Sequence, residues 1–204
     1  MDSPSLAKNS MVNGITRSPH VHINRNGYLL TAPRRKICSI TAHLGLKISL
    51  GALCNIHRLA GDLLQVPAEA IQQFVLKQKQ LNADESSWRV MKKRCWIWIG
   101  ATSKATFFKI GPSRSAQAYR RIFGSYCGTL TTDRHGAYAE RGLRLAVILR
   151  KLSGGNQSDW GARFIERLMT VVCTLKQNAM NTFTFLTEVF AAHQKARSPP
   201  FPVL

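Results

Sequence analysis

The chain is short of acid. Ten Asp and Glu stand against 29 Lys and Arg in 204 residues, for a formal charge of +19. That deficit leaves most basic side chains without an ionic partner and implies a polyanion as the protein's own partner. No apolar run approaches the roughly 18 residues of a membrane-spanning helix, so insertion into a bilayer is not expected. The first thirty residues lack the apolar core of a signal peptide, and an intracellular protein is predicted. There is no Cys-x-x-Cys. Cys38, Cys54, Cys95, Cys127 and Cys173 are widely separated in mostly apolar surroundings, which reads as buried thiols and not as a zinc site or a disulfide framework. His20 and His22, the close histidine pair, fall in a segment of Ser, Asn and Pro and are given no role.

The length suits one main domain with a helical appendage. Residues 1–36 bury too little apolar surface to offset ordering and read as an irregular arm. Residues 37–80 carry helical periodicity: a segment to Leu44, a break at Gly45, then Ser49 as N-cap before Leu50, Leu53, Ile56, Leu59 and Leu63. Pro67 suits the first turn of a further helix bearing Ile71, Phe74 and Val75. The period then changes. Leu81 to Ala83 reads as a short strand, and Cys95 to Ala101 with Thr106 to Ile110 as a hairpin turning at Thr102, Ser103 and Lys104. In Cys95-Trp-Ile-Trp-Ile99 both alternating faces are apolar, which predicts helices on both sides of the sheet. Ser113 to Phe123 is the next helix and Thr129 to Thr132 the next strand. Tyr138 to Lys151, Trp160 to Lys176 and Thr182 to His193 are then helical, and 194–204 is a flexible tail.

Two of the scarce carboxylates, Asp84 and Asp133, each follow a β-type run, with 49 residues between them (133 less 84). Carboxylates projecting from neighbouring strands suit a pair of Mg²⁺ or Mn²⁺ ions held about 3.5 to 4 Å apart for attack on a phosphodiester, with a third carboxylate from a helix completing the cage. An Asp in such a place also serves ordinary turns and caps, so spacing leaves both readings open. The basic clusters Arg34-Arg35-Lys36, Lys92-Lys93-Arg94, Arg120-Arg121 and Arg150-Lys151 are the candidate phosphate contacts; each reads equally as solvated surface when taken alone.

Three stretches narrow the choice. Leu81-Asn-Ala-Asp84-Glu85-Ser-Ser-Trp88-Arg89, Lys93-Arg-Cys-Trp-Ile-Trp98 and Leu130-Thr-Thr-Asp133-Arg134-His-Gly-Ala-Tyr138 resemble the central region of the insertion sequence 66 transposase family. Ala139-Glu140-Arg141-Gly-Leu-Arg144, Arg150-Lys-Leu-Ser-Gly-Gly-Asn-Gln-Ser158 and Gly161-Ala-Arg-Phe-Ile-Glu166-Arg167 resemble its C-terminal part. Several ordered motifs carry more weight than one short match. The resemblance implies an α/β fold: a truncated RNase H-like core, a mixed sheet flanked by helices over 81–138, between a helical segment at 37–80 and a C-terminal helical region at 139–193. It implies an Asp84, Asp133 and Glu140 triad holding two Mg²⁺ or Mn²⁺ ions. The implied partner is DNA at transposon ends, in a cytoplasmic, nucleoid-associated bacterial protein.

Residues 1–36 show no counterpart of the family's N-terminal zinc module, and only seven residues (140 less 133) separate Asp133 from Glu140 where the family carries a long segment. A helix starting near His135 is expected to carry Glu140 away from the strand end. The shortening predicts weakened metal binding, lost strand transfer and uncovered apolar sheet surface. The expected function is therefore DNA transposition by metal-dependent cleavage and strand transfer, in a degenerate copy. The alternative is a non-catalytic basic DNA-binding protein that occupies transposon ends, as a homo-oligomer or in mixed oligomers with an intact transposase.

Overall fold

The structure, a computed structural model, describes residues 34–124, 126–132 and 137–202; of 137, 138, 140 and 141 it describes the backbone alone. The chain divides into Met1–Leu30 and Thr31–Leu204, and every element below belongs to the second unit. The predicted arm thus lies outside the described residues except for Arg34 to Lys36, which open the first helix.

Three helices come first: α1 (Arg34–His43), α2 (Leu50–Leu63) and α3 (Gln65–Leu76). Ser49 caps α2 as predicted, its hydroxyl accepting from the Ala52 N–H at 3.1 Å. Strands β1 (Gln80–Val90), β2 (Lys93–Ala101) and β3 (Thr106–Gly111) follow, then α4 (Ala116–Phe123), β4 (Thr129–Thr131), α5 (Ala137–Ser153), α6 (Asp159–Gln177) and α7 (Thr182–Gln194). The four strands form one mixed sheet in the order β3-β2-β1-β4, antiparallel except for the parallel pair β1 and β4. Helices flank it, as the two-faced apolar pattern of β2 predicts. The α/β class holds, with the architecture of a truncated RNase H-like core.

One face carries Trp88, Val90, Ile97, Ile99, Phe108 and Ile110 against Ala139, Ala146 and Leu149 of α5 and Ala162 and Met169 of α6. On the other, the Trp98 ring meets Tyr119 and Phe123 of α4 edge-on, both at 6.2 Å between centroids, and Phe107 packs on Phe123 at 5.6 Å. Gly100 permits this, since a Cβ there would overlap the Phe107 ring. The expected uncovering of sheet surface is limited: most apolar sheet residues are buried, with α5 lying over β1 and β2, while Trp96 and Leu130 stay half-exposed. Among the described residues the large exposed apolar side chains lie on helices, loops and one turn.

The edge of the sheet at β3 is closed by side chains. Glu166, Thr170 and Thr174 recur every four residues on α6, a rise of about 6 Å per step, while alternate β3 residues are spaced about 6.7 Å apart. The two repeats keep pace. Thr174 Oγ1 accepts from the Thr106 N–H at 3.1 Å, Thr170 Oγ1 from the Phe108 N–H at 3.0 Å, and Glu166 Oε1 from the Ile110 N–H. Backbone donors that an open edge would offer to another chain are thereby satisfied. Beyond them, Gln177 Nε2 donates to Thr102 O and Asn178 Nδ2 to Lys104 O, extending the contact around the hairpin turn. Elsewhere α6 holds α2 and the start of α3: Arg167 donates to Gly61 O at 2.8 Å and to Gln65 Oε1 at 2.9 Å, and Phe164 stacks on His57.

The thiols are less enclosed than predicted. Cys127 is exposed and Cys38, Cys54, Cys95 and Cys173 are half-buried, because the apolar neighbours in sequence point into the core while these side chains sit at its margin. The Cys173 sulfur is sealed in, and burial pushes its thiol up to about 12.

Two predictions follow from the α6 edge. Thr170→Val strands the Phe108 N–H and should lower stability by about 1–3 kcal/mol, while Thr170→Ser retains most of it; chemical denaturation measures both. Glu166 is 3 % exposed, and burial raises its carboxyl above the usual range, against the opposing pull of the Ile110 N–H and Arg163. A raised pKa contributes stability that is complete below the unfolded value and is lost as pH rises through the folded one. Glu166→Gln should therefore flatten the fall in stability on going upward from pH 4.5, the ordinary value; an unchanged slope would remove Glu166 as its source.

Candidate active site

Asp84 is the fifth of eleven residues in β1 and not at a strand end. Leu81 to Ala83 is the short strand expected ahead of Asp84; in the structure β1 runs on through Asp84 to Val90. The reason is β2, which pairs with β1 without interruption from Asn82↔Ala101 to Val90↔Lys93, while Trp88 and Val90 anchor the far half in the core. Ladder formation and burial override the weak strand propensity of Asp84 to Ser87.

Asp84 pairs with Ile99, so the two side chains share a face, the one that α5 covers. Among the described residues, β4 occupies the edge of β1 away from β2 along Gln80 to Asn82. Beyond that point three backbone groups find separate partners. Glu85 N–H donates to Asp84 Oδ1 at 2.7 Å, Ser87 O accepts from Arg150 Nη1 at 2.8 Å, and Arg89 O accepts from the Asn156 N–H at 2.8 Å. Gly155, at φ +100°, is the approach to that last contact, and a Cβ there would run into Arg89 O. Trp88 Nε1 then donates to Asn156 Oδ1 at 2.7 Å.

The parallel ladder pairs Gln80 with Thr129, Leu81 with Leu130 and Asn82 with Thr131, an offset of 49 residues (129 less 80). The same interval separates Asp84 from Asp133. Asp133 itself lies outside the described residues. Glu140 is the fourth residue of α5, and its side chain also lies outside them. The course of its helix is nevertheless defined. α5 packs against β1 and β2, with Ala139 buried on one side of Glu140 and Gly142 seated on Ile99 on the other. A Cβ on Gly142 would stand 2.5 Å from Ile99 Cδ1, so a glycine is what lets α5 lie this low over the strand that pairs with Asp84.

Among the described residues, no three His, Cys, Asp or Glu side chains are grouped to hold a metal ion. Asp84 on its own fits as one ligand. Its carboxylate is half-buried, and one oxygen is fixed by a backbone N–H while the other accepts no hydrogen bond from the described residues. That is the donor chemistry of a hard divalent cation.

The ten basic candidates are dispersed over α1, the β1–β2 turn, the start of β2, α4 and α5. Arg35, Lys36, Lys92, Lys93, Arg94, Arg120, Arg121 and Lys151 are exposed. Arg150 is not a free surface charge, since it donates to both Ser87 O and Ser87 Oγ and ties α5 to β1. Arg34 lies 5.5 Å from the Trp160 ring centroid and donates to His57 Nδ1 at 3.4 Å. Arg58 faces the same indole at 5.3 Å, and burial followed by the Arg34 charge lowers the His57 pKa. Trp96 repeats the pattern with Arg94 and Arg114. Arg58 and Arg114 were not legible as site residues because each stands alone in sequence. The signal was the excess of arginine over carboxylate, which leaves aromatic faces as the available partners.

Asp84→Asn keeps an acceptor for the Glu85 N–H and should melt within about 1 °C of the parent chain, whereas Asp84→Ala, which removes the acceptor, should lose about 1 kcal/mol. A large loss in the Asn variant would show that the negative charge itself holds the fold.

Residues 16–139, more than half of the chain, match the family described as Transposase IS66 family. The matched span includes Asp84 and Asp133 and stops one residue short of Glu140. No curated protein and no solved structure matches the chain. No described helix is long and apolar enough to cross a membrane. By the extent of the family match, the chain belongs to the IS66 family of transposases.

Proposed function

We propose that the chain acts on the phosphodiester backbone of DNA at transposon ends through a divalent-metal site made of Asp84, Asp133 and Glu140, weakened by the shortened interval so that strand transfer is lost. The observation that carries this reading is the path of α5, which crosses the face that Asp84 shares with Ile99 within a few residues of Glu140. The equal interval of 49 residues in the β1–β4 ladder and between the two aspartates supports the same grouping. Mg²⁺ or Mn²⁺ would be held by these three carboxylates, and when bound such ions activate the attacking hydroxyl and stabilise the leaving oxygen. What the chain itself contributes is position. β2 keeps Asp84 extended, the Glu85 N–H fixes one of its oxygens, and Gly142 sets the height of α5 above them. The seven-residue connection leaves little freedom to adjust the third ligand to the other two, which is the physical ground for a weakened site.

A second reading, a non-catalytic DNA-binding protein in homo-oligomers or mixed oligomers with an intact transposase, is favoured by the +19 charge. Mn²⁺ titration by calorimetry separates the two. The metal reading expects weak binding that Asp84→Asn abolishes, together with DNA binding that the substitution leaves intact. Absence of metal binding with full DNA binding would favour the second. Efficient Mg²⁺-dependent strand transfer, lost in Asp84→Ala, would contradict the claim that the site is weakened.

A further inference from the structure

Beyond the carboxylate face, one surface has the chemistry of a ligand site. Trp96 lies on β2 opposite Gly111 of β3, a partner with no side chain to cover the indole, and remains half-exposed. Two guanidiniums stand over it: Arg94, two residues earlier on the same strand face, with Cζ 5.2 Å from the ring centroid, and Arg114 of the β3–α4 loop at 4.9 Å. Together with Pro112, Ser113 and Ser115 they line an open pocket that contains no carboxylate.

We propose that this Trp96 platform is a phosphate-holding clamp for the DNA backbone. A guanidinium resting flat on an aromatic ring uses only its π face, and its N–H groups, which lie in the plane, stay available for a bidentate contact to phosphate. Neither arginine donates a hydrogen bond or joins an ion pair among the described residues, where the ion pairs are Arg163 with Glu166 and Arg167 with Asp62. The two charges, each about 5 Å from one centroid, are at most about 10 Å apart, so their mutual repulsion falls when an anion binds beside them. The loop that carries Arg114 is held on both sides. Trp98 Nε1 donates to Ser113 O at 3.4 Å, and Ser115 Oγ caps α4 by accepting from the Ala118 N–H at 3.2 Å. The open shape suits one phosphate of a long polymer better than an enclosed small molecule.

At the other Arg–Trp cluster, Trp160, one of the two arginines is already engaged, Arg34 donating to His57.

The choice of DNA as occupant rests on the transposase reading. Trp96 pairs with Ser87, three residues along β1 from Asp84, and shares the Trp98 face, opposite to that of Asp84. The clamp therefore belongs to flanking DNA and not to the reacting phosphodiester. The exposed Lys92 and Lys93 continue the positive surface at the turn beside it.

The test is fluorescence anisotropy of the full chain with a labelled duplex of about 30 base pairs across a salt series. Arg94→Gln and Arg114→Gln should each weaken binding about tenfold and lower the slope of log affinity against log salt by about one. Trp96→Leu, which leaves the charge unchanged, should weaken binding similarly, and Trp96→Phe should restore it. Arg197→Gln, an equal change of charge near the C-terminus, should leave the slope nearly intact. The proposal is overturned if Arg114→Gln does no more than Arg197→Gln, or if Trp96→Leu binds like the parent. Should Trp96→Leu fail to fold, the two surface arginine variants decide the matter. Loss confined to RNA of the same length, with duplex binding unaffected, would overturn the assignment to DNA. Failure of the parent chain to bind duplex would remove both the clamp and the DNA reading, whereas normal parent binding with insensitive variants removes the clamp alone.

Discussion

Sheet and helices are joined through α6, whose side chains at positions 166, 170 and 174 do the work a fifth strand would otherwise do at the edge of β3. The match depends on two periodicities that are nearly equal, four residues of helix and two of strand. It has consequences at a distance. With its polar stripe turned to β3, α6 presents Phe164 and Arg167 to α2, which is held there. A buried carboxylate in a chain with so few is a costly choice, and Glu166 is retained where it satisfies an edge N–H and pairs with Arg163 at 2.8 Å.

The same scarcity of acid shapes the surface. Where most folds would offer Asp or Glu to an arginine, this one offers indoles, and the Trp96 and Trp160 platforms each gather two guanidiniums. Positive charge is thus held in place without being neutralised, which suits a protein whose counter-charge is supplied by nucleic acid. The strand that bears Asp84 is treated differently. Its backbone edge beyond the described part of β4 is served group by group, by Asp84 itself, by Arg150 and by Asn156.

Much of this was legible in the residues. The Ser49 cap, the Cys95 to Ile110 hairpin and the helices after Tyr138 follow from local patterns that tertiary structure did not need to override. The length of β1 was hidden, since Asp84-Glu-Ser-Ser87 has the composition of a turn and is extended only because β2 pairs across it. The edge zipper was hidden as well: Glu166, Thr170 and Thr174 interrupt an apolar stripe in sequence, and their purpose appears only beside β3. The candidate site was half legible. Matching flanks singled out Asp84, but the height of α5 over β2 is set by Gly142 against Ile99, a contact that spacing along the chain does not encode.

The central claim is that Asp84 and the first turn of α5 serve one metal ion despite the shortened connection. Paramagnetic broadening of amide resonances by Mn²⁺ measures this directly. The account predicts that signals from β1 around Asp84 and from Ala139 to Gly142 broaden together at the same low Mn²⁺ ratio, and that Asp84→Asn removes both effects. Broadening of the β1 signals without the α5 signals, or of neither, would contradict it.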